Sequence, residues 1–442
     1  MLRLPGLLVL AAILAIGAGA TWDRLHGQDH VQAVDPVSLR PGFGPANFAA
    51  ARARVEFNLA SARQTYAMAP DEWLRGEGLA RALIAGWRIG GDYAELAEAD
   101  RLLDQGLAEV PDPAGPVLSR AMLSVLVHRL DQADSALDRA GRSVAPDPAE
   151  TADAAAWRGD VALQRGQLDR AGADFSRAFG IDKTTGISLR VAMLTAYRGN
   201  RSEAARELDE LLARPRQQPA GLAELMLQRA NLAYWSGDWD EAGRWIGASQ
   251  RVFPGYWLAD AYAAQQFALA GRTAEAIRAY QIVVKRTRRP ALMDALAHLL
   301  RLKGQREASR KWAADAGEGW EARAQLFPEA VIHHQAEHEL AAGSAARALA
   351  LAQTDASARP QAPNLVLLAR ALLSAGRPRE ALAVLDRAHA QGWVSAGQLM
   401  GRAEVLAALG DAEGSAAATA RAEELNPRAA DPRTKFIWFG HD

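Results

Sequence analysis

Residues 230–242 read ANLAYWSGDWDEA, residues 264–276 read AQQFALAGRTAEA, and residues 369–381 read ARALLSAGRPREA. Each has the same order: a small residue, six residues of helical pattern, a glycine, four turn or polar residues, and a second small residue. The glycines of this motif stand at Gly166, Gly199, Gly237, Gly271, Gly304, Gly343, Gly376 and Gly410, spaced 33, 38, 34, 33, 39, 33 and 34 residues apart. A recurring period of this length marks an array built from one supersecondary unit. Seven residues before the glycines stand Gly159, Ala192, Ala230, Ala264, Ala297, Ala336, Ala369 and Ala403. Five residues after them stand Ala171, Ala204, Ala242, Ala276, Ser309, Ala348, Ala381 and Ser415. Two helices cross closely only where both lack bulk, and a glycine ends the first helix where positive φ is required. The unit is therefore a helix–turn–helix, and the expected fold class is all-α.

With these residues in place, the chain resembles the tetratricopeptide repeat family, which shares the period and the small-residue offsets. That family's second-helix aromatic is matched by Phe175 and Tyr280, and its closing proline by Pro254, Pro360 and Pro427. Elsewhere the chain departs from the pattern. Leu208, Ile246, Leu385 or Thr419 replaces the aromatic, and Arg216, Arg288 or Trp393 replaces the proline. Two weaker units precede the eight, one around Gly91-Asp92 and one with Ala121, His128 and Ala133, where His takes the glycine position. The resemblance implies a right-handed superhelical solenoid of about ten repeats running from about Pro70 to Pro427.

The remaining segments are read around that array. Residues 46–69 are expected to form a capping helix, 70–150 two degenerate repeats, 151–428 eight repeats, and 429–442 an aromatic tail, DPRTKFIWFGHD from Asp431 onward. The tail is read either as a cap on the last helix or as an aromatic peptide offered to a partner. Proline-containing stretches at Arg214 to Pro219 and around Phe327-Pro328 account for the two long spacings. A Pro/Gly-rich stretch, Asp35 to Pro45, reads as the core of a linker over 21–45. Before it, residues 1–20, MLRLPGLLVLAAILAIGAGA, read as a signal peptide or an N-terminal membrane anchor. Ala18-Gly19-Ala20 supplies a small-x-small cleavage pattern. Both readings export the repeats, to a periplasm or to its inner-membrane surface if the Arg- and Ala-rich composition reflects a bacterial source.

Composition narrows the function. Of 442 residues 49% are hydrophobic and 23% charged, enough apolar surface to fold. No cysteine is present, which excludes disulfides, Cys-ligated zinc, iron–sulfur clusters and thiolate catalysis. The 51 Lys and Arg are balanced by 52 Asp and Glu, so no nucleic-acid footprint is visible. The basic run Lys285-Arg286-Thr287-Arg288-Arg289 reads as a solvated helix end. Trp235, Trp239, Trp245 and Trp257, a cluster among the 12 tryptophans, read as core.

In the family, the first helix of each pair lines the concave surface. By that resemblance the inner positions of this chain include Asn231, Gln265, His298, Glu337, Arg370 and Glu404, with Asp294 and His333 one turn earlier and Tyr234 and Arg301 one turn later. Polar residues along one line across several repeats define a wet groove suited to a peptide. The expected function is a non-enzymatic protein–protein interaction scaffold of the cell envelope, with no cofactor, whose partner is a protein or peptide segment. The alternative is a metal-dependent hydrolase centred on the H-x-x-E-H string of His334, Glu337 and His338, whose helical spacing can aim two imidazoles at one ion. A third reading is a self-associating structural subunit. No G-x-S-x-G, phosphate loop or dinucleotide fingerprint occurs.

Overall fold

The computed structural model describes residues 34–142 and 147–440; the signal or anchor segment 1–20 and residues 21–33 of the linker lie outside the described residues. Among the described residues there are 21 α-helices, one 3-10 turn and no strand. Helix α1 (Phe48–Met68) precedes ten hairpins. The first five are α2–α3 (Trp73–Gly90, Tyr93–Ala108), α4–α5 (Val117–Leu126, Leu130–Ala140), α6–α7 (Pro148–Gln164, Leu168–Ile181), α8–α9 (Thr185–Tyr197, Arg201–Leu212) and α10–α11 (Pro219–Trp235, Trp239–Val252). The second five are α12–α13 (Trp257–Leu269, Thr273–Thr287), α14–α15 (Pro290–Leu302, Arg306–Ala324), α16–α17 (Pro328–Ala342, Ala345–Ala358), α18–α19 (Ala362–Ser374, Pro378–His389) and α20–α21 (Ala396–Ala408, Ala412–Leu425). The chain is an all-α solenoid of tetratricopeptide-like helix pairs.

The recurring residues do what their spacing predicts, with one exception. The turn position is left-handed in nine of the ten hairpins, including His128 at φ 66°. Gly343 is the exception, at φ −114° and ψ −131°. There the Glu339 carboxylate folds back to accept the Ser344 N–H at 2.8 Å, filling the space a Cβ on residue 343 would need. At the crossings, Ala192, Ala230, Ala264, Ala336, Ala171, Ala204, Ala242 and Ala276 are all completely buried. Where serine replaces alanine its hydroxyl finds a partner across the same crossing. Ser309 Oγ donates to the Ala297 carbonyl at 2.8 Å, and Ser415 Oγ to the Ala403 carbonyl at 2.9 Å. The substitution therefore leaves no buried hydroxyl unsatisfied.

The winding is tight enough that hairpins six apart touch. Arg289, opening α14, donates to the Ile89 carbonyl at the end of α2, 200 residues away, and lies 4.1 Å over the Trp257 ring. Phe327 packs against Tyr93, and Arg129 lies 5.0 Å over its ring. Val394 N–H donates to the Tyr197 carbonyl at 2.8 Å, while Trp393 stacks on Tyr197 with ring centres 3.8 Å apart. Asn426 Nδ2 donates to the Tyr234 carbonyl at 3.3 Å, and Arg201 donates to the Leu425 carbonyl at 3.1 Å. Arg289 thus departs from the solvated helix end expected of the basic run. Burial, with Arg323 nearby, lowers its pKa to about 10. Arg286 of the same run reaches Asp260 at 2.7 Å near the surface.

The segment before α1 lies on the array. Gly42 N–H donates to the Gln217 carbonyl at 2.8 Å, within the proline-containing insert between α9 and α10, and Phe48 N–H donates to the Pro254 carbonyl at 3.0 Å. From Phe48, packed on Phe253 and Tyr256, α1 crosses to α2, where Arg63 makes a two-pronged bond to Glu98 of α3, both arms 2.6 Å. At 1.5 Å per residue the helix spans roughly 30 Å, which carries it from the fifth hairpin to the first.

Gly159 tests the crossing rule. A Cβ there would collide with the ring of Phe175, whereas Gly180, also helical, faces open space. Gly159→Ala should destabilise by about 1–3 kcal/mol through overpacking despite its better helix propensity. Gly180→Ala should stabilise by about 0.5–1 kcal/mol. Chemical-denaturation midpoints of the two variants check the opposite signs.

Candidate peptide-binding groove

Helices α10, α12 and α14 run side by side along the inner surface, and each brings one predicted polar residue to the same line. Asn231 and Gln265 are buried and His298 is half-buried. What covers them is the chain's own C-terminal segment. After α21 the chain passes Trp239, over which Arg428 and Arg433 lie at 4.6 and 4.8 Å, and enters the 3-10 turn Pro432–Phe436. It then runs back along the groove to Gly440.

Most of the groove's bonds to this segment are to main-chain atoms. The Gln265 carboxamide accepts the Trp438 and Phe439 N–H groups at 2.7 and 2.8 Å, and donates to the Phe439 carbonyl at 3.0 Å. His298 Nε2 donates to the Lys435 carbonyl at 2.8 Å. Trp235 Nε1 donates to the Gly440 carbonyl at 2.8 Å. Ring contacts add to these: Trp438 sits 5.2 Å from His298, and Phe439 5.9 Å from Tyr262. Lys303 lies 5.1 Å over the Phe436 ring.

The imidazole of His298 is held neutral. Burial lowers its pKa, and Arg301 and Arg370 add to that against the opposing pull of the Lys435 carbonyl. Arg301 donates to Nδ1 at 3.1 Å, leaving the proton on Nε2 for the peptide carbonyl. Tyr262 Oη donates to Asn231 Oδ1 at 2.8 Å, and its ring stacks on Tyr234. Burial raises the pKa values of Tyr234 and Tyr262 above the ordinary phenol value. Burial thus favours the uncharged forms of His298, Tyr234 and Tyr262 alike.

The other predicted residues divide into two groups. Asp294 does not face the groove: it is buried, accepting the Trp320 indole N–H at 2.7 Å and His338 Nδ1–H at 2.6 Å. His333 is likewise turned into packing, with Nδ1 3.1 Å from Asp355, which Arg359 also holds. Burial works against its charged form, but the Asp355 bond and the nearby Glu337 raise its pKa. Glu337 lies 3.1 Å from His334 Nδ1. Arg370 and Glu404 are exposed. Earlier inner positions are closed as well: Met193 is fully buried, and Asp160 is clasped by Arg190 at 2.5–3.0 Å. Burial raises the Asp160 pKa to about 6 against the pull of Arg190.

Sequence reasoning assigned Trp235 to the core and left Tyr262 and Lys303 unnamed; all three meet the C-terminal segment. The signal that points to them is the segment itself, whose run Phe436-Ile437-Trp438-Phe439 needs apolar cover. Neither expected reading, a cap on the last helix or an aromatic peptide offered to a partner, describes its position: it lies along α10, α12 and α14 of its own chain, because α21 ends against α10 and directs the chain there.

The H-x-x-E-H string does not assemble a metal centre. His334 stacks on Trp320 and pairs with Glu337, whereas His338 is directed to Asp294. Among the described residues, no group of three His, Cys, Asp or Glu converges on a position that could hold an ion. Likewise no helix among them is long and apolar enough to cross a membrane.

No protein-family model and no curated protein matches the chain. Among solved structures it is similar to a tetratricopeptide repeat protein from Parabacteroides merdae, at 14% identity and TM-score 0.34, over 52% of this chain and 89% of that one. It is also similar to yeast Tom70, at 12% identity and TM-score 0.39, over 84% and 87% of the two chains. A third is PilW, a widely conserved type IV pilus biogenesis factor, at 16% identity and TM-score 0.31, over 46% of this chain and 93% of that one. These likenesses concern repeat architecture and carry no partner across.

The Asp294–His338 pair has a pH signature. Burial opposes charge on His338, but the Asp294 bond and charge, with Glu339, outweigh burial and Arg347 and raise its pKa. A raised histidine pKa contributes stability in full below the unfolded value of about 6.5, and that contribution is lost as pH rises through the folded value. Asp294→Asn should therefore cost about 1–3 kcal/mol at about pH 5.5 and distinctly less at about pH 8.5. Urea midpoints at the two pH values measure the difference.

Proposed function

We propose that the protein is a non-enzymatic scaffold that binds an extended peptide segment of a partner protein along α10, α12 and α14. The observation carrying this reading is that Trp235, Gln265 and His298 direct their hydrogen bonds to main-chain atoms of a segment whose aromatic side chains rest on the same surface. Main-chain bonding supplies affinity for any chain of that path, while pockets for side chains select among them. Three repeats present one binding line because each first helix repeats the same orientation. Arg370, close enough to His298 to bias its charge, and Glu404 extend that line with exposed polar groups.

The setting we assign is the bacterial cell envelope. Support comes from residues 1–20, whose single early Arg and long uncharged apolar run suit export as a cleaved signal or retention as an inner-membrane anchor. The repeats then work in the periplasm, and the partner is a protein of that compartment or of the facing membrane surface.

In-cell photocrosslinking tests the face. Photoreactive residues at positions 298 and 370 should capture one recurring protein, and Gln265→Ala in the same chain should abolish that capture. A matched probe at Ile282, an exposed residue of the outer helix α13, should capture none of it. Capture from 282 alone would place the working surface on the convex side and end the groove reading.

A further inference from the structure

We infer that residues 433–440 are an exchangeable occupant of the groove, a built-in competitor for a partner segment of aromatic–aromatic–glycine type. The inference rests on the peptide-groove reading above and names the ligand class. Three successive positions set that class. The Trp438 indole meets His298, and the Phe439 ring meets Tyr262. Gly440 has φ 73°, and a Cβ on it would run into Asn231 Oδ1 and lie 3.1 Å from Tyr262 Oη. Only glycine satisfies both the backbone and the space at that position. The groups that bond the segment are the Gln265 amide, the His298 imidazole and the Trp235 indole, with Arg301 beside His298 and Lys303 over the Phe436 ring, so an aromatic segment bonded through its main chain fits the groove.

The segment covers a finished core rather than completing one. Phe436, Ile437, Trp438 and Phe439 pack on the core but each keeps part of its surface in solvent, whereas Phe175 and Tyr280, which close hairpins, are at most 2% exposed. Its carbonyl and amide partners on the groove are side-chain groups, which turn to another peptide without disturbing any helix. The tether is short. Asn426 is pinned to the Tyr234 carbonyl, so the residues between that pin and Arg433 hold the segment beside its site. A short tether presents its ligand at an effective concentration on the order of millimolar. A free segment of the same chemistry must therefore bind against a largely occupied groove, and its apparent affinity falls by the fraction of chains with the groove open. Displacement of the segment is then the step that admits a partner.

The test uses the full chain and a fluorescein-labelled synthetic peptide of residues 433–442, RTKFIWFGHD. Fluorescence anisotropy compares the intact chain with the full-length double variant Trp438→Ala, Phe439→Ala. The double variant should bind the peptide at least roughly tenfold more tightly than the intact chain. Adding Gln265→Ala to the double variant should weaken that binding by roughly tenfold again, the loss expected when peptide bonds go unmade. Equal peptide affinity in the intact chain and the double variant overturns the inference. So does a double variant that loses its cooperative helical melting, because a segment that cannot leave without unfolding the array is a strut. The outcome is separable from the fate of the scaffold reading. A partner crosslinked at 298 with no peptide competition removes only the competitor. Peptide competition with no crosslinked partner removes the scaffold and leaves the self-ligand.

Discussion

The close crossing of two helices at paired small residues is the constraint on which everything else in this protein depends. In nine of the ten hairpins nothing larger than alanine or serine is present seven residues before the turn and five after it, so the backbones approach directly; the first hairpin, with Ile84 and Leu96 at these positions, is the exception. Serine at the second site is tolerated because its hydroxyl reaches the carbonyl of the residue it crosses. That approach makes each such hairpin a compact unit, and the winding follows from how one unit is rotated on the next. Contacts such as Val394 to Tyr197 and Asn426 to Tyr234 are where the accumulated rotation closes a turn.

The winding also decides which inner positions remain a surface. The position six residues before the turn recurs on the first helix of each repeat, but what it meets differs along the chain. At Asp160 it meets Arg190 in a buried ion pair. At Asn231, Gln265 and His298 it is a floor on which a peptide backbone lies, and at Arg370 and Glu404 it meets solvent. The floor works through groups that both donate and accept, amide and neutral imidazole, which suit the alternating N–H and C=O of a main chain.

The hairpins, their number and every turn but the one at Gly343 were legible in the sequence because glycine and alanine at fixed offsets leave few other structures. Even the histidine at the second turn could be read from its place in the period, and it adopts the left-handed backbone the period demands. The turn-on-turn contacts were not legible. They depend on a rotation of each hairpin against the next, set by many side chains at once, and no single residue type records it. Arg289 therefore reads as a surface cation until Ile89 and Trp257 are seen beside it. Asp294 is a second case. A carboxylate on a helix face has the same pattern whether it meets water or an indole and an imidazole from the next helices. For the candidate site, Gln265 and His298 were legible as inner-facing polar groups, but the destination of the aromatic segment required the position of α10 relative to the end of α21.

Touching turns change what kind of object the array is. An open solenoid is close to one-dimensional: each unit meets its neighbours, stability is a sum along the chain, and the ends can peel away one unit at a time. Here the first hairpin is held by the start of the seventh through Arg289, the fourth by the connection between the ninth and tenth through Trp393, and the fifth by residues beyond α21 through Asn426. Peeling either end means breaking contacts with a distant part of the chain as well as with the adjacent unit. The protein is accordingly a coil whose windings are fastened to one another, and loss of one winding exposes surface on the next. Cooperativity in this molecule is a property of the closed coil, larger than any of its repeats.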